Sequence, residues 1–497
     1  MKDSENNKKE LELTNNLEEK SIEDEKKIPI EVLYYSLKKH RRNKLYIELF
    51  YYFIFLGMFI FMNLNIMNIN TAYQQNAIIF DNFLDEEFPN ANYKKTFFDI
   101  GNIDEFYDWL DGPFYNGFYG DNIVMKYNYP IGGLFLRQSR VKEEKCSIIK
   151  NIKSCYYEYN KNSRFIGSFL DTECKVDIYP ELYGKDEFMK YYGRDGCVIY
   201  IPFNKTESKN KFNVIKSKEW IDESTRAISL YFNLYNSNTR LLTNVRFMVE
   251  FYDTGYEQPS YRIISMPFFP SKSNIPLYIV GSIFSIQLIY YIYCEIKEAI
   301  AEKSCIKYLL SSWNIVECIN LFLFVSVIGI FLYWKYNINK SSYLESLEGN
   351  SDSFDHYYYS YLFYQISILS ATCCLIGFIK IFKYLRLNRR MKLLWDTLSG
   401  AFMDLFYMLI VSLLIVSGFA LTGNLIFGQT IREYKTFSSS ISTLLRSLLG
   451  DFNYQKMAEI CPNIAPIYFV LYIFIVFFVI TNMFIAVVCE YFQKIKE

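Results

Sequence analysis

Six apolar runs set the pattern of this chain: residues 49–67, 275–294, 318–334, 361–379, 405–427 and 466–489. Each approaches the ~20 residues that a helix needs to span the hydrocarbon of a bilayer. The last two contain no charged residue. Between them lies Phe437-Ser-Ser-Ser-Ile-Ser-Thr-Leu-Leu-Arg-Ser-Leu-Leu449, followed by Gly450 and Asp451, a stretch too short and too polar to cross. Non-helical backbone survives at membrane depth only where protein buries it or where it lines water. The pattern therefore predicts helix, re-entrant loop, helix. That is the plan of a pore, and Asp451 puts negative charge at its narrow point.

The longest polar interval, about 200 residues between the first and second runs, is large enough for a folded domain. Ser229-Leu-Tyr-Phe-Asn-Leu-Tyr235 and Val245-Arg-Phe-Met-Val-Glu-Phe251 are β-prone and partly alternating, with a polar Asn-Ser-Asn-Thr turn between them. Asp111-Gly, Gly132-Gly133 and Tyr179-Pro180 mark further turns, so an α+β domain is expected. Residues 1–28 mix Lys, Glu and Asn with almost no apolar content, which suits a disordered cytoplasmic tail. No cleavable signal peptide is visible, and the run 49–67 would itself serve as signal anchor.

Lys and Arg near the helix ends set orientation. Lys38, Lys39, Arg41, Arg42 and Lys44 precede the first run, and Lys297, Lys303 and Lys307 lie between the second and third. Lys383, Arg386, Arg389, Arg390 and Lys392 follow the fourth, and Lys494 and Lys496 follow the sixth. All four groups fall on one side if every run crosses once. Both termini are then cytoplasmic, and the large domain and the pore loop face outside or a lumen. The expected division is a tail at 1–40, the first transmembrane helix at 41–70, the outer domain at 71–273, helices two to four at 274–390 and a pore domain at 391–497.

Composition changes this picture little. Aromatic residues make up 19% of the chain, a content that belts at membrane interfaces can use. Codon bias accounts for most of it, because Lys, Asn and Ile are abundant too. Lys+Arg and Asp+Glu balance at 53 each, without the basic excess that nucleic-acid binding calls for. With two His, no Walker loop, no zinc-ligand pair and no nucleophile elbow, the chain offers nothing for enzymatic chemistry. Of eleven cysteines, Cys146, Cys155, Cys174 and Cys197 lie in the outer interval, where disulfides are permitted. Cys146–Cys155 would close a small loop, while pairing of Cys174 with Cys197 stays open. Asn204-Lys-Thr206 and Asn339-Lys-Ser341 are glycosylation sequons on the expected outer side.

The motifs in hand resemble the polycystin-2 family of transient-receptor-potential cation channels, from about residue 40 to the end. The carriers are Arg137-Gln-Ser-Arg-Val141 followed by Cys146 and Cys155, then Trp220-Ile-Asp-Glu-Ser-Thr-Arg-Ala227 and Ser312-Trp-Asn314. Lys380-Ile-Phe-Lys383, Leu387-Asn-Arg389, Arg446-Ser-Leu-Leu-Gly-Asp451 and Asn482-Met-Phe-Ile-Ala486 continue the match in the same order. The resemblance implies a mainly α membrane protein with a voltage-sensor-like four-helix bundle, a two-helix pore and an outer polycystin domain between helices one and two. It further implies a homotetramer with a non-selective conductance for calcium, sodium and potassium, a Cys146–Cys155 loop disulfide, and a polycystin-1-like protein as candidate partner. The family's constricting positions fall on Ile485 and Cys489, and Cys489 departs from the usual Asn. The family's cytoplasmic EF-hand and coiled coil have no counterpart here, so neither calcium sensing nor coiled-coil assembly is carried over.

On these expectations Leu449, Gly450 and Asp451 form the selectivity filter, and Asp451 is the transient ligand of the permeating cation. Rings of Asp are an established means of selecting cations. The competing account of Asp451 is a cap on a following helix over 452–460. Lys380, Lys383, Arg386 and Arg389 recur every third residue, and Lys380 and Lys383 lie deepest in the field. Glu317, Glu295 and Glu298 are their candidate counter-charges. A charge moved through the field is worth ~2.3 kcal/mol per 100 mV, so two per subunit in four subunits give at most ~18 kcal/mol. The basic clusters at 38–44 and 386–392 are candidates for contact with membrane lipids, phosphoinositides among them, and no other cofactor is expected. The alternative to a channel is a non-conducting receptor or accessory subunit that scaffolds partners through its outer domain.

Overall fold

The computed structural model describes residues 30–88, 94–121, 123–146, 154–170, 172–175, 192, 196–268, 275–302, 308, 311–340, 355–385 and 388–496. Helices α1 (Ile30–Met67), α2 (Ile69–Phe83), α3 (Lys205–Ser217), α4 (Ile275–Ala301), α5 (Ser312–Ile338), α6 (Asp355–Leu385) and α7 (Arg389–Phe427) follow in order. The pore region adds α8 (Phe437–Ser447) and α9 (Ala465–Tyr472), then a π-helical segment, Ile473–Ile480, and α10 (Thr481–Lys496). Among the described residues, six helical stretches are long and apolar enough to cross a membrane. The strands are β1 (Asn128–Arg140), β2 (Glu144–Lys145), β3 (Ser154–Cys155), β4 (Gly167–Phe169), β5 (Thr172–Lys175), β6 (Gly196–Ile201), β7 (Thr225–Asn236), β8 (Leu241–Phe251) and β9 (Glu257–Pro267).

The first helix differs from its expected limits. It begins at Ile30, not after a tail ending at residue 40, because 31–44 offers Leu, Lys and Arg with neither Gly nor Pro, all good helix formers. It stops at Met67 because Asn68 takes a left-handed backbone, φ 42°, which Asn tolerates better than most residues. Residues 1–29, the Tyr179-Pro180 turn, and Lys303, Lys307 and Arg386 lie outside the described residues.

Contacts divide the chain into two compact units, one of residues 52–380 and one of 1–51 with 381–497. In the first, β4-β5-β6-β1-β7-β8-β9 form one antiparallel sheet. Core residues of β7 and β8 meet α2 and the 97–118 segment in an aromatic cluster that includes Phe83, Phe97, Trp109, Phe114, Phe232 and Phe247. All eleven residues of β8 are buried, Asn244, Arg246 and Glu250 included, so polar side chains on the second face are covered as well. That coverage explains why alternation along these strands is only partial. The expected α+β domain is the fold found. Beside it, Phe55 of α1 stacks on Phe284 of α4 at 4.6 Å and meets Phe324 of α5 edge-on at 5.2 Å. The Tyr52 hydroxyl donates to the Gly377 carbonyl of α6 at 2.9 Å, which ties the fourth helix into the bundle.

In the second unit α7 packs along α10. The Tyr491 hydroxyl donates to Asp404 Oδ2 at 2.7 Å, and the Tyr491 ring lies over Gly400.

Candidate pore and charge-sensing sites

The pore segment is built from its caps inward. Thr436 opens α8 with a reciprocal cap: its hydroxyl accepts from the Ser439 amide, and the Ser439 hydroxyl accepts from the Thr436 amide. Leu444 and Ser440 are buried against the α7 and α9 side of the unit. Two bonds pin that face: the Tyr472 hydroxyl donates to the Leu444 carbonyl at 2.5 Å, and Thr443 Oγ1 to the Glu433 carbonyl at 3.1 Å. Asn424 Nδ2 of α7 donates to the Tyr434 carbonyl, just before α8, at 2.6 Å. Phe427, Tyr434 and Tyr468 pack ring on ring beside them. Glu433 has its carboxyl held below the ordinary carboxylate range by its own amide and by Lys456, 3.4 Å away.

Past Leu448 the chain turns through Leu449, Gly450 and Asp451. Gly450 has φ 90°, a backbone that disfavours any Cβ. The amides of Leu449 and Asp451 fold back onto the Arg446 carbonyl, and that of Gly450 onto Ser447. Leu449 is 88% exposed. The Asp451 carboxylate is exposed too, 3.5 Å from Arg446 Nη1. The cap of the next helix, Tyr454–Ile460, is Asn453, whose side chain accepts from the Lys456 amide at 3.2 Å. The capping role considered for Asp451 therefore belongs to another residue. Ile485 and Cys489, four residues apart on α10, share one helix face, and both are exposed on the single chain.

In the four-helix bundle Lys380 of α6 is buried, with its ammonium 3.5 Å from Glu317 Oε1 of α5. The side chains are 10% and 8% exposed, so the charges meet away from water. The rings of Tyr52 and Tyr291 stand 4.8 and 5.6 Å from the Lys380 ammonium. Glu295 joins this cluster beside Glu317 and the Tyr308 hydroxyl. Glu298 is exposed and Lys383 half-buried. The bundle thus brings Lys380, Glu317 and Glu295 together and leaves Glu298 out. Sequence reasoning missed the two tyrosines, because their contribution depends on how three separate helices rotate against each other.

The β-sheet domain carries two disulfides, Cys146–Cys155 and Cys174–Cys197. The second follows from strand register, which sets Cys174 directly opposite Cys197 across β5 and β6. A further assembly went unread in the sequence. Arg140, at the end of the Arg-Gln-Ser-Arg-Val motif, lies 3.4 Å over the Phe169 ring and donates to Asp222 Oδ2 at 2.6 Å. Of the two sequons, Asn204 is exposed at the start of α3, and its Oδ1 accepts from the Thr206 amide and hydroxyl. Asn339 ends α5, and its partner Ser341 lies outside the described residues.

A family model described as polycystin cation channel matches residues 269–495, and one described as polycystin domain matches residues 96–269. The human polycystin-2-like protein 1 is 27% identical over 474 residues, covering 90% of this chain and 58% of that protein. The human polycystin-2-like protein 2 is 29% identical over 478 residues, covering 90% and 75%. Polycystin-2 of Danio rerio is 26% identical over 475 residues, covering 90% and 52%. The chain thus spans between about half and three-quarters of these relatives. Among solved structures, PI3P- and calcium-bound full-length TRPY1 matches 44% of this chain and 37% of its own, at 18% identity and a TM-score of 0.32, a likeness too slight to carry an argument.

Proposed function

The chain belongs to the polycystin cation channel family and is an integral, multi-pass membrane protein, and from that premise we propose that four copies form a cation-conducting pore filtered by Leu449, Gly450 and Asp451. One observation carries this reading. A capped helix between two uncharged spans ends on a left-handed Gly450 and an exposed Asp451 that is not used as a helix cap. A single loop cannot enclose a path, so copies must surround an axis. Four facing carboxylates repel one another unless a cation sits between them. Ile485 and Cys489 supply the lower constriction: the apolar Ile485 closes by dewetting, and Cys489 adds a weakly polar ring one turn below. Lys380, clamped by Glu317 beside Glu295, is the charge that responds to voltage.

Purified protein in liposomes, with flux of sodium, potassium and calcium recorded for wild type and Asp451→Asn, tests the filter. The variant is expected to lose at least half of its calcium flux relative to sodium. Unchanged relative permeation would remove Asp451 from the pathway.

A further inference from the structure

Within the unit of residues 52–380, the ends of α1, α4, α5 and α6 nearest the β-sheet domain enclose a cavity of about 630 Å³. Its walls are mostly apolar, with Phe59, Phe284, Val327 and Phe331 among them, relieved by neutral groups such as Asn63 and Ser285. Ile286 and Leu332 also line it and are themselves largely exposed on the single chain, so the cavity opens sideways between α4 and α5. Among the described residues that line it, one is charged. Lys335, near the end of α5, donates to the Tyr278 hydroxyl at 3.3 Å and stands 4.8 Å from that ring. Among the described residues no carboxylate pairs with it.

Lys335 lies in the last turn of its helix, where its ammonium can reach the interface and hold an anion at the rim of the apolar chamber. The volume lies within the range of small-molecule sites. If a chain carbon fills about the ~30 Å³ of a liquid water, a chain of about 17 carbons needs roughly 500 Å³. One acyl chain fits, and the two of a phospholipid do not. We propose that this cavity binds a long-chain fatty acid, its chain packed among the bundle's aromatic residues and its carboxylate held by Lys335 and Tyr278. The Lys335–Tyr278 bond uses the phenol oxygen as acceptor and leaves the phenol proton for the ligand. This site is separate from the pore loop and does not depend on conduction.

The test uses the full chain in phosphatidylcholine nanodiscs, photolabelled with a diazirine-bearing palmitic acid and mapped by mass spectrometry. Label is expected within 277–286 or 327–339, with palmitic acid competing about tenfold better than hexadecanol. Lys335→Gln should lower labelling about tenfold, the loss expected for a charged hydrogen bond, and Lys335→Arg should retain it. Gly281 lines the cavity, and a Cβ there meets only Met62 Cε, at 3.6 Å, so Gly281→Phe fills the space and should abolish labelling. The melting temperature checks that this variant is folded, and the Lys335 pair decides the matter if it is not. Labelling elsewhere, equal competition by hexadecanol, or labelling of Lys335→Gln equal to wild type would each overturn the assignment.

Discussion

Asp451 lies within reach of Arg446 of its own chain, and both side chains are more than half exposed. Such pairs are worth ~1 kcal/mol or less. A cation entering the proposed filter can therefore displace the guanidinium at small cost, yet the guanidinium still dilutes the local negative potential. Arg446→Gln is expected to raise single-channel cation conductance about twofold in symmetric salt, a change that ~0.4 kcal/mol accounts for; a fall in conductance would contradict this. In the β-sheet domain, Glu257 sits half-buried on β9 with one oxygen unpartnered. Burial, reinforced by Glu105, pushes its carboxyl up to about 7 from 4.5. The folded state therefore holds a proton that the unfolded chain releases, and stability falls as pH rises between about 4.5 and 7. Glu257→Gln should flatten that part of the melting profile; an identical slope in wild type and variant would refute the account. Arg140 was legible as part of a motif, but its use was not. Its contacts with Phe169 and Asp222 join positions 29 and 82 residues away, which only the folded sheet reveals.

The elements divide by how local their causes are. The six spans were readable because length and apolarity are properties of one segment. The helix start at Ile30 was harder, since charged but helix-favouring residues look like a tail when judged on polarity alone. The β7–β8 hairpin was visible in its strands, whereas the β5–β6 pairing was not, because Cys174 and Cys197 are joined through a long polar excursion. Likewise, choosing between Asp451 and Asn453 as the cap takes backbone geometry that a run of polar letters does not hold. Disulfides act mainly on the unfolded chain, and more strongly for longer loops. With separations of 23 and 9 residues, removing Cys174–Cys197 should cost roughly 3.4 kcal/mol and removing Cys146–Cys155 roughly 2.6 kcal/mol. Cys→Ser pairs followed by thermal melting in detergent check the order, and a larger loss from the smaller loop would contradict it.

For the whole protein, topology and assembly are the properties to measure. Asn204 keeps its Nδ2 free while Oδ1 caps α3. If the β-sheet domain faces a lumen or the outside, a glycosidase should shift the wild-type band, and Thr206→Ala should remove the shift while sparing the amide bond of the cap. Absence of any shift in a glycosylating host would argue that this face is cytoplasmic or that the acceptor is not used. Native mass spectrometry should find four copies of the 59.1 kDa chain; a stable dimer would undo the proposed axis. The π-helical segment Ile473–Ile480 bears on how such an assembly changes state. Its wider turn stores one surplus residue in the rod. Were that surplus given up and the turn tightened, every side chain beyond Ile480 would swing by about 100°. On the proposed gate, Ile485 and Cys489 would then leave their heading together and their neighbours would take it, so a single rod would offer two alternative linings without any hinge.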